Sequence, residues 1–303
     1  MLNLKTALLT LACTLTLGGA AQAGEIDHAV KIIQHGELTE GGKLLLTGGV
    51  STIEGSAGGG LATWAVISGY ETREGIGGGA HATYVKLPDY ELRDYGVAIG
   101  LFDRLELSYA RQEFDTGETG GKLGLGNGFT FHQDVFGAKL RVTGDAVYGE
   151  GWLPQIAVGV QYKKNDRGAI ITAVGGKKDS GVDYYVTGTK VLLDQSLVLS
   201  GAVRMTKANQ TGLLGFGGDK HNDYSAQFEG SAGYLVSKRL VIGAEFRSKP
   251  DNLGFAKEDD SFDVFAAYAF NKHVSITAAY VDLGDIATFK NQRGVYLSLQ
   301  AGF

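Results

Sequence analysis

Eight charged residues sit in otherwise apolar runs at positions that fix which way they point. Glu106, Lys139, Arg141, Arg204, Glu229, Glu245, Arg247 and Asp263 keep phase with Ser, Thr, Gln and Gly, and out of phase with the neighbouring Val, Ile, Leu, Tyr and Phe. Alternate residues of a strand share a face, so the eight belong to one polar side. Both signs occur equally, which does not suit a single-sign filter. Two readings fit: cross-paired residues that hold strands in register in a wet lumen, or a mixed-charge constriction with a transverse field.

Other chemistry is thinner. His273 and Ser275 share a strand face, the spacing of a base and a nucleophile. They follow a tight turn and point to the polar side, however, where they read as plain lumen residues. Asp219, His221 and Asp223 cluster in the stretch "GFGGDKHNDY" and read as a solvated loop rather than a metal site. There is no phosphate loop, cysteine metal site or nucleophile elbow. The expectation is no enzyme, no cofactor and no metal.

The elements that must position these residues have period two. "RGVYLSLQAGF" alternates Val295, Leu297, Leu299, Ala301 and Phe303 with Gly294, Tyr296, Ser298, Gln300 and Gly302. "DSFDVFAAYAF", "KHVSITAAYVD", "RLVIGAEFRS" and "PQIAVGVQYKK" behave the same way. Twelve strands are predicted over 61–70, 91–102, 104–114, 132–143, 153–164, 182–193, 195–207, 222–236, 238–249, 260–270, 272–282 and 293–303. Counting "KLLLTGGVSTIE" and "AHATYVKL" as strands gives fourteen as the alternative. Tight turns at Asp103, Asp194, Ser237–Lys238 and Asn271–Lys272 alternate with long loops at 115–131, 165–181, 208–221, 250–259 and 283–292.

This asymmetry, with strands near ten residues, is the pattern of an all-β, transmembrane, antiparallel up-and-down β-barrel. A soluble sandwich would put its apolar face inside. Here the apolar face carries rings at the strand ends: Tyr162, Tyr224, Phe246, Phe262 and Tyr280 near long loops, and Tyr234, Phe270 and Phe303 near tight turns. Two such belts match the two interfaces of a bilayer. Lys5, the apolar run "TALLTLACTLTLGGA" and "AQA" at Ala21–Ala23 read as a cleaved signal peptide over 1–23. Residues 24–60 are Gly-rich at their end and are read as a tail, a lumen plug or an extra strand, with the barrel at 61–303. The net charge of -5 gives no reason to expect nucleic acid.

A terminal aromatic after alternating apolar residues resembles the assembly signal of outer-membrane proteins, here carried by Phe303. The stretches "GLATWAVISGYETREGIGG", "GLFDRLELSYARQEFDTG", "TKANQTGLLGFGGDK", "FRSKPDNLGFAKEDD" and "AYVDLGDIATFKNQRGVYLSLQAGF" resemble a family of exported Gram-negative proteins of unknown function regarded as outer-membrane channels. The resemblance runs from about Gly42 to Phe303. It implies a barrel in the cell outer membrane and no particular substrate. The expected partners are outer-membrane lipids, the barrel-assembly machinery during biogenesis and small solutes. The expected function is a porin-like channel, with a non-conducting structural or plugged barrel as the alternative and a lipid hydrolase as a weaker one.

Overall fold

Each of twelve strands pairs antiparallel with its sequence neighbours in the computed structural model, which describes residues 43–48, 50–149 and 151–303. The expected leader and the start of the segment from Gly24 lie outside the described residues. The strands are β1 (Ile76–Lys86), β2 (Glu91–Leu101), β3 (Leu105–Asp115), β4 (Thr130–Thr143), β5 (Gln155–Asn165), β6 (Ser180–Leu192), β7 (Leu197–Thr206), β8 (Ser225–Ser237), β9 (Leu240–Arg247), β10 (Ser261–Ala269), β11 (Val274–Asp282) and β12 (Arg293–Gly302). β1 and β12 pair from Gly79↔Gly302 to Lys86↔Val295, so the sheet closes and has no free edge.

Side-chain chemistry dictates both faces. Val97, Ile99, Val158, Val160, Val186, Ile242, Val264, Leu297 and Leu299 are exposed on the outer wall, and the ring-bearing residues of both expected belts are exposed with them. Inward positions carry Ser, Thr, Gln and charge, and they are buried. Polar inside and apolar outside is the arrangement a barrel in hydrocarbon requires.

Turn chemistry ends the strands at one rim. The Asn271 carboxamide oxygen accepts the His273 and Val274 N–H groups at 2.7 and 2.9 Å, and the Ser237 hydroxyl accepts those of Arg239 and Leu240 at 3.2 Å. The opposite rim carries the loops 116–129, 166–179, 207–224, 248–260 and 283–292, with short helices α1 (Thr119–Lys122) and α2 (Gly168–Ala173).

The number of strands is twelve, but one of them differs from expectation. Residues 61–70 form no barrel strand; they are buried inside the barrel. The first strand is instead Ile76–Lys86, which contains "AHATYVK" and joins β2 through only four residues. "LATWAVISGY" is apolar on both faces because it is surrounded on all sides, as a lumen segment is and a lipid-facing strand is not.

Phe303 extends the seam. Its N–H donates to Gly78 O at 3.0 Å, and its carbonyl accepts from Gly78 N–H at 3.1 Å and Tyr70 N–H at 2.9 Å. Deleting Phe303 removes these bonds and an outward ring at the turn rim. The expected result is loss of the heat-modifiable folded species on a detergent gel and accumulation of protease-sensitive chain; wild-type yield would refute it.

Candidate functional site in the barrel lumen

Residues 43–48 and 50–71 run into the barrel from the short-turn rim and fill it, and residues 72–75 lead on to β1. The strand pleat presents polar groups inward, and the backbone of this plug supplies their partners. Glu106 accepts Ser56 Oγ at 2.7 Å, Ala57 N–H at 3.2 Å and Ser68 N–H at 2.8 Å. Glu245 accepts Leu61 N–H at 2.8 Å, and Glu229 accepts Thr63 N–H at 2.8 Å. Lys139 donates to the carbonyls of Ala57 and Trp64 and pairs with Glu106 at 3.1 Å. Thr187 donates to Thr63 O, Gln155 to Ala65 O and Gln112 to Ile53 O. A chain with no regular structure can be buried only if its backbone groups are satisfied this way.

Glycine permits the close approach. A Cβ at Gly59 would fall on the Glu245 carboxylate, and Gly69, at φ +96°, lies against the backbone of Gly77 and Gly78. The Gly-rich end of residues 24–60 is a packing element of the lumen.

The strongest electrostatic feature is Glu54, fully buried in the plug. It pairs with Lys163 of β5, with Arg247 of β9 at 2.9 Å and with Arg204 of β7 at 3.5 Å. Burial alone would push its carboxyl up; Arg247, Lys163 and Arg204 outweigh burial and hold it well below the usual carboxylate range. Arg204 also binds Glu229 at 2.6 Å, Gln161 at 2.6 Å and Thr63 Oγ1 at 3.0 Å, with its guanidinium over the Tyr185 ring.

A second closure comes from the long-loop rim. Residues 207–217 fold inward, and Thr211 O accepts from Lys163 at 3.2 Å and from Gln133 at 3.3 Å. Asn165 donates to Leu213 O at 3.0 Å. Ile53 of the plug and Leu213 of the loop share one apolar cluster with Phe114 and Phe131. Plug and loop thus meet at Lys163.

Of the eight residues singled out from sequence, six contact the plug: Glu106, Lys139, Arg204, Glu229, Glu245 and Arg247. Arg141 does not. It pairs with Asp103 and with Asp145 at 3.3 Å, tying together turns at the short rim. Asp263 stands opposite Glu245 in register, with one carboxylate oxygen buried and without a hydrogen-bond partner. His273 and Ser275 turn to separate neighbours, Gly302 O and Gln300. Asp219 accepts Gly254 N–H at 2.7 Å.

Sequence reasoning missed Glu54, Lys163, Asp183 and a chain of contacts at the wall of β1 and β2. There Ser51 Oγ lies 2.8 Å from His81 Nδ1, and His81 Nε2 lies 2.6 Å from Asp94. Hydroxyl, imidazole and carboxylate stand in line, but the gap beside them, lined by Gly55, Ser68 and Gly79, is too small for a water molecule. Their effect here is to tie the plug to the wall. Lys163 was legible, since it keeps phase with Gln155, Gly159 and Gln161.

The base of the plug is titratable. Lys43 bridges Glu71 at 2.9 Å and Asp103 at 3.0 Å. Burial pushes the Glu71 carboxyl up to about 7, and Lys43 offsets only part of this. A released Glu71 regains its ordinary value near 4.5. Between these values the seated plug holds a proton that the released one does not, so seating is favoured below the window and weakens as pH rises through it. Release is therefore expected to increase from pH 5 to 7.5, read as maleimide labelling of a cysteine placed at buried Ala57 divided by the labelling of a free thiol at the same pH, since thiolate content alone rises over this range. Glu71→Gln should flatten the profile, and an unchanged profile in that variant would contradict the assignment. Glu258, also pushed up to about 7 by burial, lies in loop 248–260 and is unaffected by that substitution.

Fold and site together define a porin-like barrel whose lumen is occupied by its own chain. The chain belongs to the family described as "Protein of unknown function (DUF3034)", which matches residues 47–300. No curated protein matches the sequence. Among solved structures, the chain is similar to the KdgM porin, with 11% identity over 74% of this chain and 99% of that one and a TM-score of 0.48. It is similar to the NanC porin at 10% identity, over 75% and 98% of the two chains, with a TM-score of 0.46. The outer membrane phospholipase A from Escherichia coli is similar at 10% identity, over 78% and 94%, with a TM-score of 0.43.

Proposed function

We propose that this protein is an outer-membrane channel for small solutes, held shut by its own segment up to Glu71 and opened when that segment leaves the lumen. One observation carries the reading: the inward charges and hydroxyls of the wall are bonded to a segment that is part of no barrel strand. A permanent core gains nothing from buried ion pairs, since apolar residues of like volume serve stability as well or better. A wall that must become wet needs those polar groups, because water replaces the plug as their partner. The two rings of exposed aromatics and the closed, edge-free sheet support a site in the outer membrane, with lipids around the wall and Phe303 offered to the assembly machinery.

The test couples passage to plug position. Full-length protein with Ala57→Cys is reconstituted, and current and labelling by an impermeant maleimide are recorded together; Cys13, in the leader, is the sole native cysteine. Current that flows only under conditions that also expose the cysteine is the expected result. Steady current with an unreactive cysteine would mean that solutes pass another way.

A further inference from the structure

The surroundings of Glu54 are unbalanced without it. Lys163, Arg204 and Arg247 converge on this point from β5, β7 and β9. Two wall carboxylates face the same cations: Asp183, 2.8 Å from Lys163 and 3.6 Å from Arg204, and Glu229, 2.6 Å from Arg204 and 3.6 Å from Arg247. All five side chains are buried. The wall thus supplies three positive charges and two negative ones, and the third negative charge comes from the plug. When the plug withdraws, these three cations keep only two ion-paired carboxylates, and an anion placed among them in a passage walled by low-dielectric material is held strongly.

The shape of the vacancy is that of a carboxylate. Lys163 and Arg247 both donate to Oε1 of Glu54, while Arg204 faces Oε2 at 3.5 Å, and that oxygen has no hydrogen-bond partner. Donors arranged about two oxygens of one plane suit a carboxylate better than a halide. The place is also near the rim from which a solute would come, since the loop carbonyl of Thr211 touches the same Lys163.

We infer that Lys163, Arg204 and Arg247 form a binding site for the carboxylate group of an organic acid solute, that Glu54 occupies it as an internal substitute, and that solute and plug compete for it. This rests on the plugged-channel reading. A solute that binds only the unplugged barrel favours it by the factor 1 + [L]/Kd, so the solute acts as its own opener.

The probe is acetate, compared with chloride at equal ionic strength, on the full-length Ala57→Cys protein. Acetate at ten times its Kd should speed maleimide labelling about tenfold, and chloride should not. Adding Glu54→Ala should remove the acetate effect on labelling, because acetate then fits the plugged and unplugged barrels alike. In that variant acetate should instead raise the temperature at which the folded band is lost on a detergent gel. Glu54→Gln, which keeps the side-chain volume but loses the charge, serves if the alanine variant folds poorly: labelling without acetate should be faster than with Glu54, and acetate should still speed it, because the amide continues to fill the seat. Acetate and chloride acting alike in every variant would overturn the site while leaving the plugged channel standing, provided release of the plug still brings current. No current from any variant, whatever its labelling, would overturn the channel reading and solute competition with it.

Discussion

Barrels lacking residues 43–70 are expected to carry steady ionic current in a planar bilayer, where the full chain passes current only in isolated openings. The deletion leaves the twelve strands and their pairing untouched, because no residue of this span belongs to a barrel strand. It removes the backbone groups that meet Glu106, Lys139, Glu229 and Glu245, and water takes their place. What it costs the fold is limited: at the seam, Phe303 loses one hydrogen bond, from Tyr70 N–H, and keeps both with Gly78, one accepted and one donated. Heat-modifiability on a detergent gel gives an independent check that the variant is folded. A folded variant that remains silent would show that the wall collapses or that the loop 207–217 seals the lumen alone, and the structural-barrel reading would then prevail.

The second large effect is expected from one side chain. Glu54→Ala leaves Lys163, Arg204 and Arg247 buried around a missing partner. Removing one member of a buried ionic cluster costs about 3–5 kcal/mol, a hundredfold or more in an equilibrium. The cost falls on the plugged state, because in the open barrel the same cations are hydrated. Openings should become common and labelling at Ala57→Cys correspondingly fast. Glu118→Gln, on an exposed loop residue, should do neither. If the two substitutions behaved alike, Glu54 would not be what holds the plug.

The barrel was legible because its physics is periodic. β10 shows why: Phe262, Val264, Ala266 and Tyr268 face out while Ser261, Asp263 and Phe265 face in, and a one-residue slip would exchange the two sets. The plug was legible only as one of three readings of residues 24–60, and for the same reason. It follows no pleat, so Glu54 has no phase from which its direction could be read. Its partners are far away in sequence, with Arg247 193 residues on. The mistaken strand at 61–70 has this cause too. An apolar stretch looks alike in lipid and in a packed lumen, and only the turn and pairing context of Ile76–Lys86 separates them. Arg141 kept the right phase yet sits at the rim, since parity gives the face of a residue and not its depth.

The plug is joined to β1 through residues 72–75, and on the plugged-channel reading this short tether sets how the protein behaves in time. A released plug stays within a few nanometres of its seat, which corresponds to an effective concentration on the order of millimolar. Its return is intramolecular, so closure is first order and independent of how many barrels the membrane holds. A free peptide copying residues 50–68 would have to exceed that same millimolar level to hold its place in the wall. Each opening is therefore self-limiting: its length is set by the tether and by whatever occupies the seat meanwhile.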